Sequence, residues 1–152
     1  MNDDGRQEGR HHLLLYDGEC GFCHGAVRFV LARDRRGLFR FAALQSAAAA
    51  AALAPFGGRP ADLTSFYVIE RYRGGTPALH CRAGAVWVVA QVLGWPWRLV
   101  TVLRLLPQPW LDAAYDMVAR HRHRIVGTAD ACLVPGPGDR ARFLDAGGES
   151  PR

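Results

Sequence analysis

At 152 residues, with 49% hydrophobic and 22% charged side chains, the chain suits one compact domain whose core needs no disulfide staples. The formal net charge is +5, yet the sequence contains no lysine, and its arginines are scattered rather than gathered on a face interleaved with aromatics. That distribution argues against a nucleic-acid partner, and the densest basic cluster, "RHRHR" at 120–124, reads as the solvated end of a helix.

In chain order, residues 1–12, "MNDDGRQEGRHH", are polar, lack the apolar segment of a secretory signal and read as a disordered tail. Leu13 to Asp17 reads as a short buried strand. Phe22, Ala26, Phe29 and Val30 then recur at helical spacing. This predicts an amphipathic helix with those residues on one face and His24, Arg28, Asp34 and Arg35 largely elsewhere, closed by the charge run 33–36 and Gly37. "LFRFAAL", residues 38–44, is a second strand, and Ser46 is the expected N-cap of an alanine-rich helix ended by Pro55, Gly57 and Gly58. "SFYVIERY" and "TPALHC" flank Arg73-Gly74-Gly75 and predict a hairpin.

A further helix is expected from about Ala85 to Leu93. The apolar stretch from Ala85 to Leu106 is interrupted by Gly94, Pro96, Arg98 and Arg104, whereas a spanning helix needs about 20 apolar residues with few or no charges. No transmembrane span is expected, although Trp95 and Trp97 leave peripheral membrane contact open. Two more helical stretches, "WRLVTVLRLL" and "WLDAAYDMVARHRHR", are parted by Pro107 and Pro109. In the second, Trp110, Leu111, Ala114, Tyr115 and Val118 share one face, and the Trp and Leu positions from 87 to 111 read as core and helix packing, with an exposed remnant that docks a partner or a lipid surface as the alternative. From Pro135 onward "PGPGDR" and "GGESPR" suggest a flexible tail, 135–152, which leaves residues 13–134 as the domain.

The order is β-α-β-α-β-β-α followed by two helices. A parallel β-α-β crossover and a hairpin on the same sheet make a minimal thioredoxin-like α/β arrangement. Cys20-Gly21-Phe22-Cys23 falls at the N-terminus of its first helix. There the backbone N–H groups of the first turn are unpaired, and with the helix dipole they lower a cysteine pKa from its usual value of about 8.5. The thiolate of Cys20 can attack a disulfide, and Cys23, one turn on and more inside, can resolve the mixed disulfide. In a cytoplasmic setting, the expected location, a C-x-x-C is more often redox or metal-binding than structural. A closed zinc site needs four ligands. The other candidates, His24, Cys81 and Cys132, occur singly, so neither a metal nor an organic cofactor is expected.

"YDGECGFCHGAVRFVLARDR" at 16–35, "FRFAALQS" at 39–46 and "AYDMVARHRHRIVG" at 114–127 together resemble the DCC family of thiol-disulfide oxidoreductases. The family is named for an Asp-x-x-Cys-x-x-Cys motif, here Asp17, Cys20 and Cys23. The resemblance covers most of residues 13–134 and implies a thioredoxin-like fold with disulfide exchange. It departs from ordinary thioredoxins in having Leu63-Thr64-Ser65, not a proline, before the third strand.

The expected activity is thiol-disulfide exchange on a protein or small-molecule disulfide, with a dithiol protein or glutathione as electron donor. The alternative is a non-enzymatic adaptor that binds a partner through its apolar C-terminal helices. Asp17 has two readings: its carboxylate accepts backbone N–H bonds and shapes the turn at Gly18, or, with a pKa raised by burial, it takes the proton of Cys23 during resolution. His24 reads as solvated on the outer face of its helix, and Cys81 as a small buried hydrophobe. Neither Cys81 nor Cys132 is expected in a structural disulfide. Cys132, before Leu133 and Pro135, reads as either structural or a third thiol.

Overall fold

A computed structural model describes residues 11–19, 21–58, 66–72, 74–126 and 136–145. Its elements are β1 (His12–Tyr16), α1 (Gly21–Arg33), β2 (Phe39–Ala43), α2 (Ala47–Leu53), β3 (Tyr67–Glu70), β4 (Ala78–Cys81), α3 (Arg82–Leu93) and α4 (Gln108–Val126). A long 3₁₀ helix, Trp97–Leu105, joins the last two. The four strands form one mixed sheet in the order β2-β1-β3-β4, with β1 parallel to β2 and the other two pairs antiparallel. This is the expected thioredoxin-like α/β fold.

β1 occupies the middle of the sheet, and that position explains its sequence. A strand covered on both faces reads as a continuous apolar run. Leu14 and Tyr16 point into a core with Cys23, Val27 and Val30 of α1 and Val88 of α3, while Leu13 and Leu15 point the other way, toward Ala49, Ala52 and Leu53 of α2. The alternation of four consecutive residues, Leu13 to Tyr16, therefore builds two cores, one on each face. Ser46 caps α2 as expected, its Oγ accepting the Ala49 N–H at 3.2 Å.

Four expectations are corrected. The inward stripe of α1 is Cys23, Val27 and Val30, with His24 also buried, whereas Phe29 is exposed and Phe22 only half-buried. The sheet meets the helix one position round from the face that hydropathy selects. The stretch from Trp97 is a 3₁₀ rather than an α-helix, in keeping with its β-branched Val100-Thr101-Val102 run and a bond from the Thr101 hydroxyl to the Arg98 carbonyl. The residues around it are not core either: Trp95, Leu105 and Trp110 are 76%, 87% and 72% exposed, although Trp87 is buried.

Finally, residues 136–145, expected to be loose, dock on the free edge of β2. Phe143 is buried, stacks on Phe41 at 5.2 Å and bridges to it in parallel, and the Asp145 carboxylate accepts the Ala43 N–H at 2.8 Å. Arg142 pairs with the buried Asp34, whose carboxylate also accepts the N–H groups of Leu38 at 3.2 Å and Phe39 at 2.8 Å. An unpaired strand edge is a liability, and this segment covers it.

Candidate active site

The site forms where β1 runs into α1. Asp17, Gly18 and Glu19 make the turn, and α1 starts at Gly21. Asp17 is buried, and its Oδ1 accepts two bonds, from the Glu19 N–H at 3.0 Å and from Gln45 Nε2 at 3.0 Å. The carbonyl end of the same Gln45 amide accepts the Gly18 N–H at 3.2 Å. Gln45, from the β2–α2 connection, thus clamps the turn that leads into the dithiol motif. Sequence reading missed it; only its place inside the block "FRFAALQS" could have pointed to it.

Gly18 is the residue that allows this clamp. A Cβ there would lie 3.2 Å from Gln45 Oε1 and 3.3 Å from the Ala43 Cβ, tighter than ordinary contact. The turn-shaping role expected of Asp17 is therefore present: an aspartate accepting a backbone N–H two residues on is the turn for which this residue type is suited.

Cys23 lies in the first turn of α1 and is 1% exposed, in the core cluster with Leu14, Tyr16 and Val68. No acidic side chain sits in that first turn. Cys20 lies outside the described residues, as do Cys132 and residues 63–65.

His24 is not solvated as expected. It is buried, edge-on to the Tyr16 ring at 5.9 Å, and among the described residues nothing hydrogen-bonds to its Nδ1. A buried imidazole nitrogen without a partner is uncommon and costly, so its place directly after Cys23 makes it a candidate site residue. Cys81 is corrected too: its free thiol is exposed, because it ends the edge strand β4 and stands at the N-cap of α3. Among the described residues no cluster of His, Cys, Asp and Glu could hold a metal ion.

Behind the motif lies a cavity of about 420 Å³ between α1, the sheet, α3 and α4. Phe22, Ala26 and Phe29, the stripe expected to face the core, line it together with Cys23, Val86 and Val118, and no charged side chain does. Among the described residues no helix is long and apolar enough to cross a membrane.

The chain is 34% identical over 135 residues to the Bacillus subtilis protein YuxK, described as uncharacterized, covering 88% of this chain and 94% of that protein. It is 32% identical over 127 residues to the chloroplastic DCC family protein At1g52590 of Arabidopsis thaliana, covering 83% of this chain and 71% of that one. No solved structure matches it significantly. Residues 14–128, from the middle of β1 to just past α4, match one family model, and on that match the chain belongs to the DCC1-like thiol-disulfide oxidoreductase family.

Proposed function

We propose that the protein is a thiol-disulfide oxidoreductase working through Cys20 and Cys23. The observation that carries this reading is Cys23, buried in the first turn of a 13-residue helix that follows directly on the central strand, in a chain of this family. Position 20 immediately precedes the helix, where unpaired N–H groups and the dipole stabilise a thiolate.

The exchange runs in two steps. The Cys20 thiolate attacks one sulfur of the substrate disulfide, forming the mixed disulfide and expelling the first substrate thiolate, which takes a proton. Cys23 loses its proton, attacks the Cys20 sulfur, and the second substrate thiolate leaves and is protonated. Two electrons pass to the substrate and the protein is left with a Cys20–Cys23 disulfide. A dithiol protein, or two molecules of glutathione, returns it to the dithiol. Asp17, held in the turn before Cys20, is the proposed acceptor for the Cys23 proton, directly or through one water.

The test is the pH dependence of Cys20 alkylation together with trapping by a Cys23→Ser variant. The reading expects a Cys20 pKa below that of free cysteine and an accumulating mixed disulfide. A pKa at or above the free value, with nothing trapped, would leave the adaptor reading, which the exposed Leu105 and Trp110 favour.

A further inference from the structure

Three of the exposed apolar residues outside the redox site are aligned by the geometry of one element. In a 3₁₀ helix residues three apart eclipse, so Trp97–Leu105 presents three stripes. Trp97, Val100 and Leu103 form one, on which Trp97 packs edge-on to Phe29 at 4.8 Å. Leu99, Val102 and Leu105 form the second, and they are 53%, 57% and 87% exposed. Arg98, Thr101 and Arg104 form the third, beside it. Trp95 before the helix and Trp110 after it are exposed as well.

An exposed leucine is ordinary, but an aligned apolar ridge flanked by arginines and bracketed by tryptophans is the pattern of an element lying in a membrane interface. Between Glu70 and Asp112 the sequence has five arginines, at 71, 73, 82, 98 and 104, and no acidic residue; Arg71 and Arg82 stand 3.9 Å from Glu70 and Asp116, whereas no carboxylate pairs with Arg98 or Arg104 among the described residues. Beside Trp95 and Arg98 opens a polar cavity of about 320 Å³ lined also by Arg33, Arg35 and Arg36. Its carboxylate, Asp34, is already committed to Arg142 and two backbone N–H groups. Among the described residues none of these four arginines is paired with a carboxylate.

We infer that the 3₁₀ helix, with Trp95 and Trp110, seats on an anionic lipid surface. The Leu99–Val102–Leu105 ridge dips into the acyl boundary, while Arg98 and Arg104 lie at phosphate level, and the arginine-lined cavity stands ready for a headgroup phosphate. Net positive charge draws the protein to such a surface, and the apolar ridge retains it there. The inference is independent of the disulfide chemistry.

The test is co-sedimentation of the full chain with vesicles of phosphatidylcholine alone and of phosphatidylcholine mixed with phosphatidylglycerol, with tryptophan emission recorded alongside. Binding to the mixed vesicles, a blue shift and weakening by salt are expected. The Arg98→Glu/Arg104→Glu double variant should bind at least about 30-fold more weakly, as two lost arginines near an anionic surface predict. Leu105→Asp should lose binding and Trp110→Ser part of the blue shift, both with unchanged melting because the side chains are exposed. Binding that ignores lipid charge, survives the double variant or is indifferent to Leu105→Asp would overturn the inference. So would a vesicle-free dimer in which Trp95 and Trp110 are already shielded from quenchers.

Discussion

Replacing Asp17 with asparagine separates its charge from its geometry. Both bonds to Asp17 end on Oδ1, from the Glu19 N–H and from Gln45 Nε2, each at 3.0 Å. An asparagine carbonyl can accept both, so the turn survives and stability should change by less than about 1 kcal/mol. Alanine removes the acceptor altogether. Glu19 and Gln45 are exposed enough for water to replace it, which puts the cost below that of two fully buried bonds to a charged group, at about 2 kcal/mol. For a chain of this length that is a fall in melting temperature of roughly 4–8 °C. The chemical expectation is separate. Stopped-flow alkylation reads Cys20, and the second phase of a single turnover with an aromatic disulfide reads resolution by Cys23. Asp17→Asn should leave alkylation nearly unchanged and slow the second phase at least about tenfold, a threshold set below the roughly hundredfold or more that a positioned base typically contributes. Equal slowing of both steps, or no change in either, would refute the assignment of Asp17 as proton acceptor.

Gly18→Ala should destabilise by about 1 kcal/mol, because its Cβ would press on Gln45 Oε1 and the Ala43 Cβ, and Gln45→Ala should relieve part of that loss in a double-mutant cycle. Asp34→Ala, which orphans the N–H groups of Leu38 and Phe39 as well as Arg142, should cost about 4 kcal/mol in denaturant titration, and Arg142→Ala about half of that. Burial holds the His12 imidazole below its usual pKa of 6.5, against the opposing pull of Glu70 and Asp34, and its Nδ1 accepts the Arg71 N–H at 3.4 Å. The folded state therefore binds this proton less tightly than the unfolded chain: the contribution is fully present above about pH 6.5 and is lost as pH falls, so His12→Phe should flatten the decline of melting temperature on acidification. His24→Leu should raise stability by about 1 kcal/mol by removing a buried nitrogen that has no partner among the described residues, and a fall instead would mean that Nδ1 has a partner.

The sequence by itself determined what depends on neighbours a few residues away. The apolar run from Leu13 marks a buried strand, Ser46 caps the helix after it, and a glycine-rich turn separates β3 from β4; all are short-range patterns that the chain carries wherever it folds. The dithiol motif and its place before a helix were legible for the same reason, as was the N–H acceptance by Asp17. Tertiary structure decided the rest. Helical spacing marks several possible inward stripes on α1, and only the sheet's position selects Cys23, Val27 and Val30 and buries His24. Cys81 is exposed because β4 is an edge strand, a fact of strand order that no local pattern encodes. Gln45 reaches Asp17 across 28 residues of chain, and Arg142 reaches Asp34 across 108, through contacts that exist only once β1 and β2 lie side by side. Whether an apolar residue is core or surface is likewise relative to what packs on it, which is why Leu105 and Trp110 read as interior and stand in the open.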